Sequence, residues 1–131
     1  MKKDIDIPEV KGVYFAAVKV FNEDFRTQEW NAYLINDRDD ALEMVLIVSK
    51  GYSDKDQTSV MRHKIEKLPP KSFAKVEFLQ EEVLALNNEF QVTFFAENRM
   101  FEKKFLFRKN TINEKALREL PLIPEKGILL K

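Results

Sequence analysis

"FQVTFFAENRMFEKKFLF", Phe90 to Phe107, carries six of the eleven phenylalanines of a 131-residue chain, with lysines and arginines interleaved among them. Such a run is either a stacking platform for nucleic acid or the inside of a protein. Its apolar residues alternate with period two, the signature of a half-buried strand. A two-residue turn at Asn98-Arg99 makes it a hairpin in which Phe90 faces Phe107, Val92 faces Phe105 and Ala96 faces Phe101. One face becomes an apolar ladder, interrupted where Phe94 meets Lys103. The other face pairs Gln91 with Leu106, Thr93 with Lys104 and Phe95 with Glu102. A three-residue turn would set Lys104 opposite Val92 and spoil the ladder. An RNA-recognition sheet displays its aromatics in a glycine-containing motif, and "EKKFLFRK" has no glycine. The interior reading is therefore preferred.

Working outward, the rest of the chain keeps the same period. "GVYFAAVKVF" (Gly12–Phe21) is apolar on both faces, as a central strand is. "EWNAYLIN" (Glu29–Asn36) and "ALEMVLIVS" (Ala41–Ser49) follow across the acidic turn "DRDD". "GYSDKDQ" reads as a polar loop with Gly51 at positive φ. "TSVMRHKIEKL" (Thr58–Leu68) is halted by Pro69-Pro70, and "SFAKVEFL" (Ser72–Leu79) sends Ala74, Val76 and Phe78 one way, Lys75 and Glu77 the other. "QEEVLALNN" reads as a helical turn or a crossing loop. Thr111 and Glu114 stand at capping-box spacing, which predicts a short helix up to Pro121, and "GILL" near the C-terminus returns to strand. About seven strands with one short helical segment predict an all-β fold in one domain, residues 1–131. The arrangement expected is an antiparallel, immunoglobulin-like β-sandwich, with a partly open barrel as the alternative.

Composition bounds the function. Lys plus Arg and Asp plus Glu are 22 each, so no net field draws the chain to phosphate or to a membrane surface. The absence of cysteine removes disulfides and thiolate chemistry. "MKKDIDIPEV" lacks the apolar run of a signal peptide, and the longest aliphatic stretch, "MVLIV", is far too short to span a bilayer. A cytoplasmic protein with no membrane contact is expected.

Candidate chemistry is sparse. His63 is the single histidine, and alternation places it with Met61 and Ile65 on the inward side as a hydrogen-bonded, partly buried residue. A zinc site without cysteine would have to rely on carboxylates, a poor ligand set for it. The turns "DRDD" and "DKD" lack the glycine and the glutamate that an EF-hand loop needs. Three glycines in no phosphate-binding spacing exclude the common nucleotide motifs. No cofactor, metal or catalytic residue is expected. Trp30 reads as core.

The stretches "KDIDIPEVKGVY", "EWNAYLIND", "VLIVSKGY", "TSVMRH", "LNNEFQVTFF" and "LPLIPEKGILL" together resemble a family of short, uncharacterised bacterial proteins, some of which carry the label phenylalanyl-tRNA synthetase alpha subunit. The resemblance covers nearly the whole chain and implies no activity at any residue. A class II synthetase core requires an arginine-bearing ATP motif and a glycine-rich motif that this chain lacks, so the label is read as mistaken.

These readings converge on a non-catalytic module that binds another protein or itself. The alternatives are an RNA-associated accessory protein using a local basic patch around Lys103 to Lys109, and an enzyme with an unrecognised carboxylate site. Nucleic acid is disfavoured as a partner by the charge balance. The first place to look for binding is Tyr52 with Arg62: an aromatic with a polar tip and an outward arginine near one loop resemble interface anchors. The plainer reading packs Tyr52 over the sandwich end and pairs Arg62 with a carboxylate.

Overall fold

Phe15 sits where two sheets meet. In the computed structural model, which describes residues 10–131, its ring stacks on Phe90 at 4.4 Å, tilts against Phe105 at 5.5 Å and meets the edge of Phe107 at 6.2 Å. The strands around it are β1 (Val13–Asn22), β2 (Thr27–Asn36), β3 (Leu42–Tyr52), β4 (Met61–Leu68), β5 (Ser72–Leu79), β6 (Asn87–Ala96), β7 (Arg99–Phe107) and β8 (Gly127–Leu130). They form two antiparallel four-stranded sheets, β5-β2-β1-β8 and β4-β3-β6-β7, packed face to face as a β-sandwich. The reading of "MKKDIDIPEV" concerns residues that lie, but for Val10, outside the described ones.

Alternation builds the core. Val13, Phe15 and Ala17 of β1 point between the sheets, as do Ala32 and Leu34 of β2 and Phe90, Val92 and Phe94 of β6. The other face of β1 is also buried. Ala16 and Val18 join Ile35 and Ile123 in a second cluster, where Leu120 and Ile123 of the C-terminal segment lie over the outer face of the first sheet. The two-sided apolar pattern of Gly12–Phe21 thus belongs to a strand with neighbours on both edges and cover on both faces.

The β6–β7 hairpin is present, in a register two residues from the expected one. The turn is Glu97-Asn98, with both residues at positive φ (54° and 60°), so Phe90 faces Phe105, Phe94 faces Phe101 and Ala96 faces Arg99. Two positive φ values are what a tight type I′ turn requires, and Asn98 supplies one of them in either register. The observed choice stacks Phe94 on Phe101 at 5.4 Å and moves Lys103 opposite Val92. There the ammonium lies 5.0 Å from the Phe105 ring centre and donates to the Val13 carbonyl. A slip of two preserves every face assignment, which is why Phe90, Val92, Phe105 and Phe107 are all buried.

Two local expectations yield to longer-range contacts, and a third is met. No α-helix forms after Thr111; the segment has a single 3₁₀ turn, Glu114–Ala116, capped by Asn113. Ile112 is anchored in the main core, and Arg118 exchanges both backbone hydrogen bonds with Gly127, which holds the chain extended where a helix would continue. Gly51 lies within β3, and the glycine at positive φ is Gly12, at 78°. The residues after Leu79 do make a helical turn, a 3₁₀ turn at Glu81–Ala85.

The turn "DRDD" is tied down by its arginine. Arg38 binds Asp40 through Nε (2.7 Å) and Nη2 (3.2 Å), reaches Glu97 of the β6–β7 turn at 3.1 Å and donates to the Lys11 carbonyl. The hydrogen bond from Arg38 holds the Asp40 carboxyl below its ordinary range.

The aromatic cluster gives a direct test. Phe105→Ala removes a 3 % exposed ring from between the sheets and should cost about 3–5 kcal/mol. Phe25→Ala, at the 75 % exposed tip of the β1–β2 hairpin, should stay within about 0.5 kcal/mol of the parent. Urea unfolding of both variants checks this, and an unchanged midpoint for Phe105→Ala would contradict the packing.

Candidate functional site

Two regions hold side chains that the fold does not absorb. One is a pocket at the end of the sandwich between β3, β5 and β6. The other is the outer face of the second sheet.

The pocket depends on a β-bulge. Ala32 pairs with Glu77 but Tyr33 pairs with Lys75, so β5 carries one extra residue at Val76. A bulge re-aims the side chains that follow it. Val76 and Glu77 therefore both turn toward the space between the sheets, and Phe78, expected inward, is 46 % exposed. This corrects the strict alternation read for "SFAKVEFL".

Glu77 arrives beside groups supplied by the other sheet. Its Oε1 accepts the Ser49 hydroxyl at 2.7 Å from β3 and His63 Nε2 at 2.8 Å from β4. Because a carboxylate oxygen accepts, the proton lies on Nε2. His63 is half-buried and faces inward opposite Ile47, as alternation requires. The hydroxyl donates to the carboxylate and not to the imidazole, so this is not a serine nucleophile activated by a histidine base. The group joins the edge strands β4 and β5 across the gap between the sheets.

Around it lies a pocket of about 430 Å³, with Met61, Phe78, Val83 and Phe90 as apolar walls and Asn88 among its polar lining. Asn88 is buried, and its Nδ2 donates to the carbonyls of Val83 (2.8 Å) and Leu86 (3.1 Å). Space is tight at Gly51: a Cβ would lie 3.1 Å from Thr58 Cγ2 and 3.3 Å from Asn88 Oδ1.

The outer face of the second sheet holds both residues marked from sequence. Tyr52 ends β3, half-buried, with its hydroxyl 3.5 Å from Glu89 and the Lys50 ammonium 5.7 Å from its ring. Arg62 is exposed on β4 opposite Val48 and makes no ion pair among the described residues. Tyr52 lies four residue steps along β3 from Val48, so the two side chains stand about 13 Å apart along the sheet and form no single cluster. Phe95 and Met100 lie opposite each other on this face, and Leu46 of β3 pairs with Thr93, two residues along β6 from Phe95. Met100 is 63 % exposed. Neither hydrophobic cluster among the described residues includes these three. Lys104 approaches Glu89 at 3.9 Å, and Glu102 accepts a hydrogen bond from Gln91, so acids interleave with the basic residues here.

Trp30 packs against the main core with the Lys19 ammonium 5.7 Å from its ring. Comparison with models of known protein families and with curated proteins finds no match.

The pocket and the sheet face respond differently to substitution. Glu77→Ala strands the buried Ser49 hydroxyl and the His63 N–H, and should cost about 1–3 kcal/mol. Arg62→Ala should change stability by less than about 0.5 kcal/mol. Thermal denaturation of the two variants checks this, and equal melting temperatures would show that Glu77 ties nothing together.

Proposed function

We propose that this protein is a non-catalytic interaction module that presents the outer face of its second sheet to a protein partner, either a second copy or another chain. The observation that carries this reading is an asymmetry between the sheets. The chain's own segment covers the first sheet's outer face around Ala16, Val18 and Ile35 through Leu120 and Ile123, leaving Phe73 and Phe78 of the edge strand β5 exposed. Among the described residues, by contrast, neither hydrophobic cluster takes in Leu46, Phe95 or Met100, which stand exposed on the second. Exposed apolar side chains grouped on one face among polar ones favour association. Zero net charge at pH 7, with both signs mixed on the face, favours it further by lowering long-range repulsion.

Faces rather than edges serve this role. β4 carries outward Arg62 and Lys64, β5 has its bulge, β8 has only four residues, and β7 carries Lys103 facing inward. Each is a device that discourages strand addition.

The immunoglobulin-like assignment belongs to the same proposal. The order β7-β6-β3-β4 follows G-F-C-C′ and β1-β2-β5 follows A-B-E, with β8 added beside the first strand. The resemblance to short bacterial proteins and a cytoplasmic setting are likewise part of it, the latter supported by the lack of cysteine. Among the described residues no helix is long and apolar enough to cross a membrane.

Photo-crosslinking tests the face. A crosslinking residue at Phe95 or Met100 should give one discrete adduct, which identifies the partner as a second copy or another protein. The same residue at Glu119, beside the covered sheet, should give none. Equal yields at both faces, or no adduct at Phe95 and Met100, would contradict the proposal.

A further inference from the structure

We infer that the pocket between β3, β5 and β6 binds a primary ammonium carried on a short apolar stem. This site is independent of the sheet face proposed above.

Two acceptors in the pocket lack partners. Asn88 Nδ2 donates to two carbonyls, which fixes the orientation of the amide and leaves Oδ1 as the atom without a donor. Glu77 uses Oε1 for both Ser49 and His63 and leaves Oε2 without a donor. Among the described residues, the side-chain polar atom sealed from solvent without a partner is Asn31 Oδ1, so neither of these two is sealed off. Both residues line the same pocket, and Asn88 is itself only 5 % exposed.

The chemistry narrows the ligand. Two acceptors, one of them an oxygen of a carboxylate, call for a donor with positive charge. A guanidinium fork pairs best with both oxygens of a carboxylate, and here one is already taken by two donors. The remaining oxygen suits the point charge and rotatable donors of an ammonium. No group of three metal-ligating side chains exists among the described residues, and one carboxylate with one amide is a poor cage for a divalent ion. Lys50, also at the pocket, has its ammonium within 3.9 Å of Glu89 and 5.7 Å from the Tyr52 ring, both on the outer face, so it does not fill this role. Met61, Phe78, Val83 and Phe90 supply the apolar wall for a stem, and about 430 Å³ accommodates one of several carbons. Gly51 keeps the space beside Asn88 Oδ1 open.

The source of the ammonium is either a free alkylamine or a lysine side chain of a polypeptide, and the test separates them. Hexylammonium, N-acetyl-lysine methylamide and hexanol would each be titrated into the full chain and followed by amide chemical shifts. Hexylammonium should give saturable shifts at Ser49, Lys50, Gly51, Glu77 and Asn88, at least about ten-fold tighter than hexanol. Comparable binding of the lysine derivative assigns the pocket to a lysyl side chain; its failure assigns it to a free amine. Glu77→Gln, which keeps an acceptor for Ser49 and His63 but presents a donor to the pocket, should weaken hexylammonium by about ten-fold or more. The hexanol comparison needs no variant and decides the matter even if Glu77→Gln does not fold. Equal affinity for hexanol, shifts outside the pocket, or no saturation by about 50 mM would overturn the inference.

Discussion

The contact of Phe15 with Phe90, Phe105 and Phe107 is the constraint on which the rest depends. It joins β1, the middle of one sheet, to the hairpin of the other, and it requires every aromatic in the cluster to stand on an inward face. Phe90 and Phe107 also meet edge to ring, so the cluster packs within its sheet as well as across the gap. Side chains alternate along a strand free of bulges, so holding one ring inward sets the direction of its neighbours along β6 and β7. The outward set on β6 and β7, including Phe95 and Met100, is therefore a consequence of packing between the sheets. So is the inward set on β3, which ends in Ser49 and Gly51 at the pocket.

This explains which features were legible in the sequence. The faces of β6 and β7 follow from period two, and they survive a two-residue slip in register because such a slip changes partners but not sides. The turn lies one residue earlier than the reading puts it, because Asn98 is suited to either central position and the registers differ in long-range contacts, the stacking of Phe94 on Phe101 and the placement of Lys103 opposite Val92. The capping box at Thr111 and Glu114 is a sound local signal overruled by a distant one: the backbone bonds between Arg118 and Gly127 exist only once β8 has docked on β1. Gly51 does not have the positive φ that its place before a polar loop predicts; it lies within β3, and the closeness of Thr58 and Asn88 is visible only once β6 and the β3–β4 loop are brought beside it.

The pocket was largely illegible for the same reason. Ser49 and Glu77 are separated by 28 residues and His63 by 14 from Glu77, with no spacing that a motif would recognise. The inward direction of His63 was readable from its neighbours Met61 and Ile65. That of Glu77 was not, because a bulge has no strong signature in "SFAKVEFL" and strict alternation sends the carboxylate to solvent. Arg62 points outward as alternation requires, whereas Tyr52, which reads as a loop residue, ends β3; the sheet spreads the two apart, and the exposed Phe95 and Met100 lie in a stretch that reads mostly as core.

The direction of Glu77 is the central claim, since the bulge at Val76 alone turns it from the surface into the space between the sheets. Nuclear Overhauser contacts measure it most directly. The Glu77 side-chain protons should show contacts to the His63 ring and to the Ser49 β-protons. Contacts from the Phe78 ring to Phe90 and Ile65, with none from Glu77 to His63, would contradict the account.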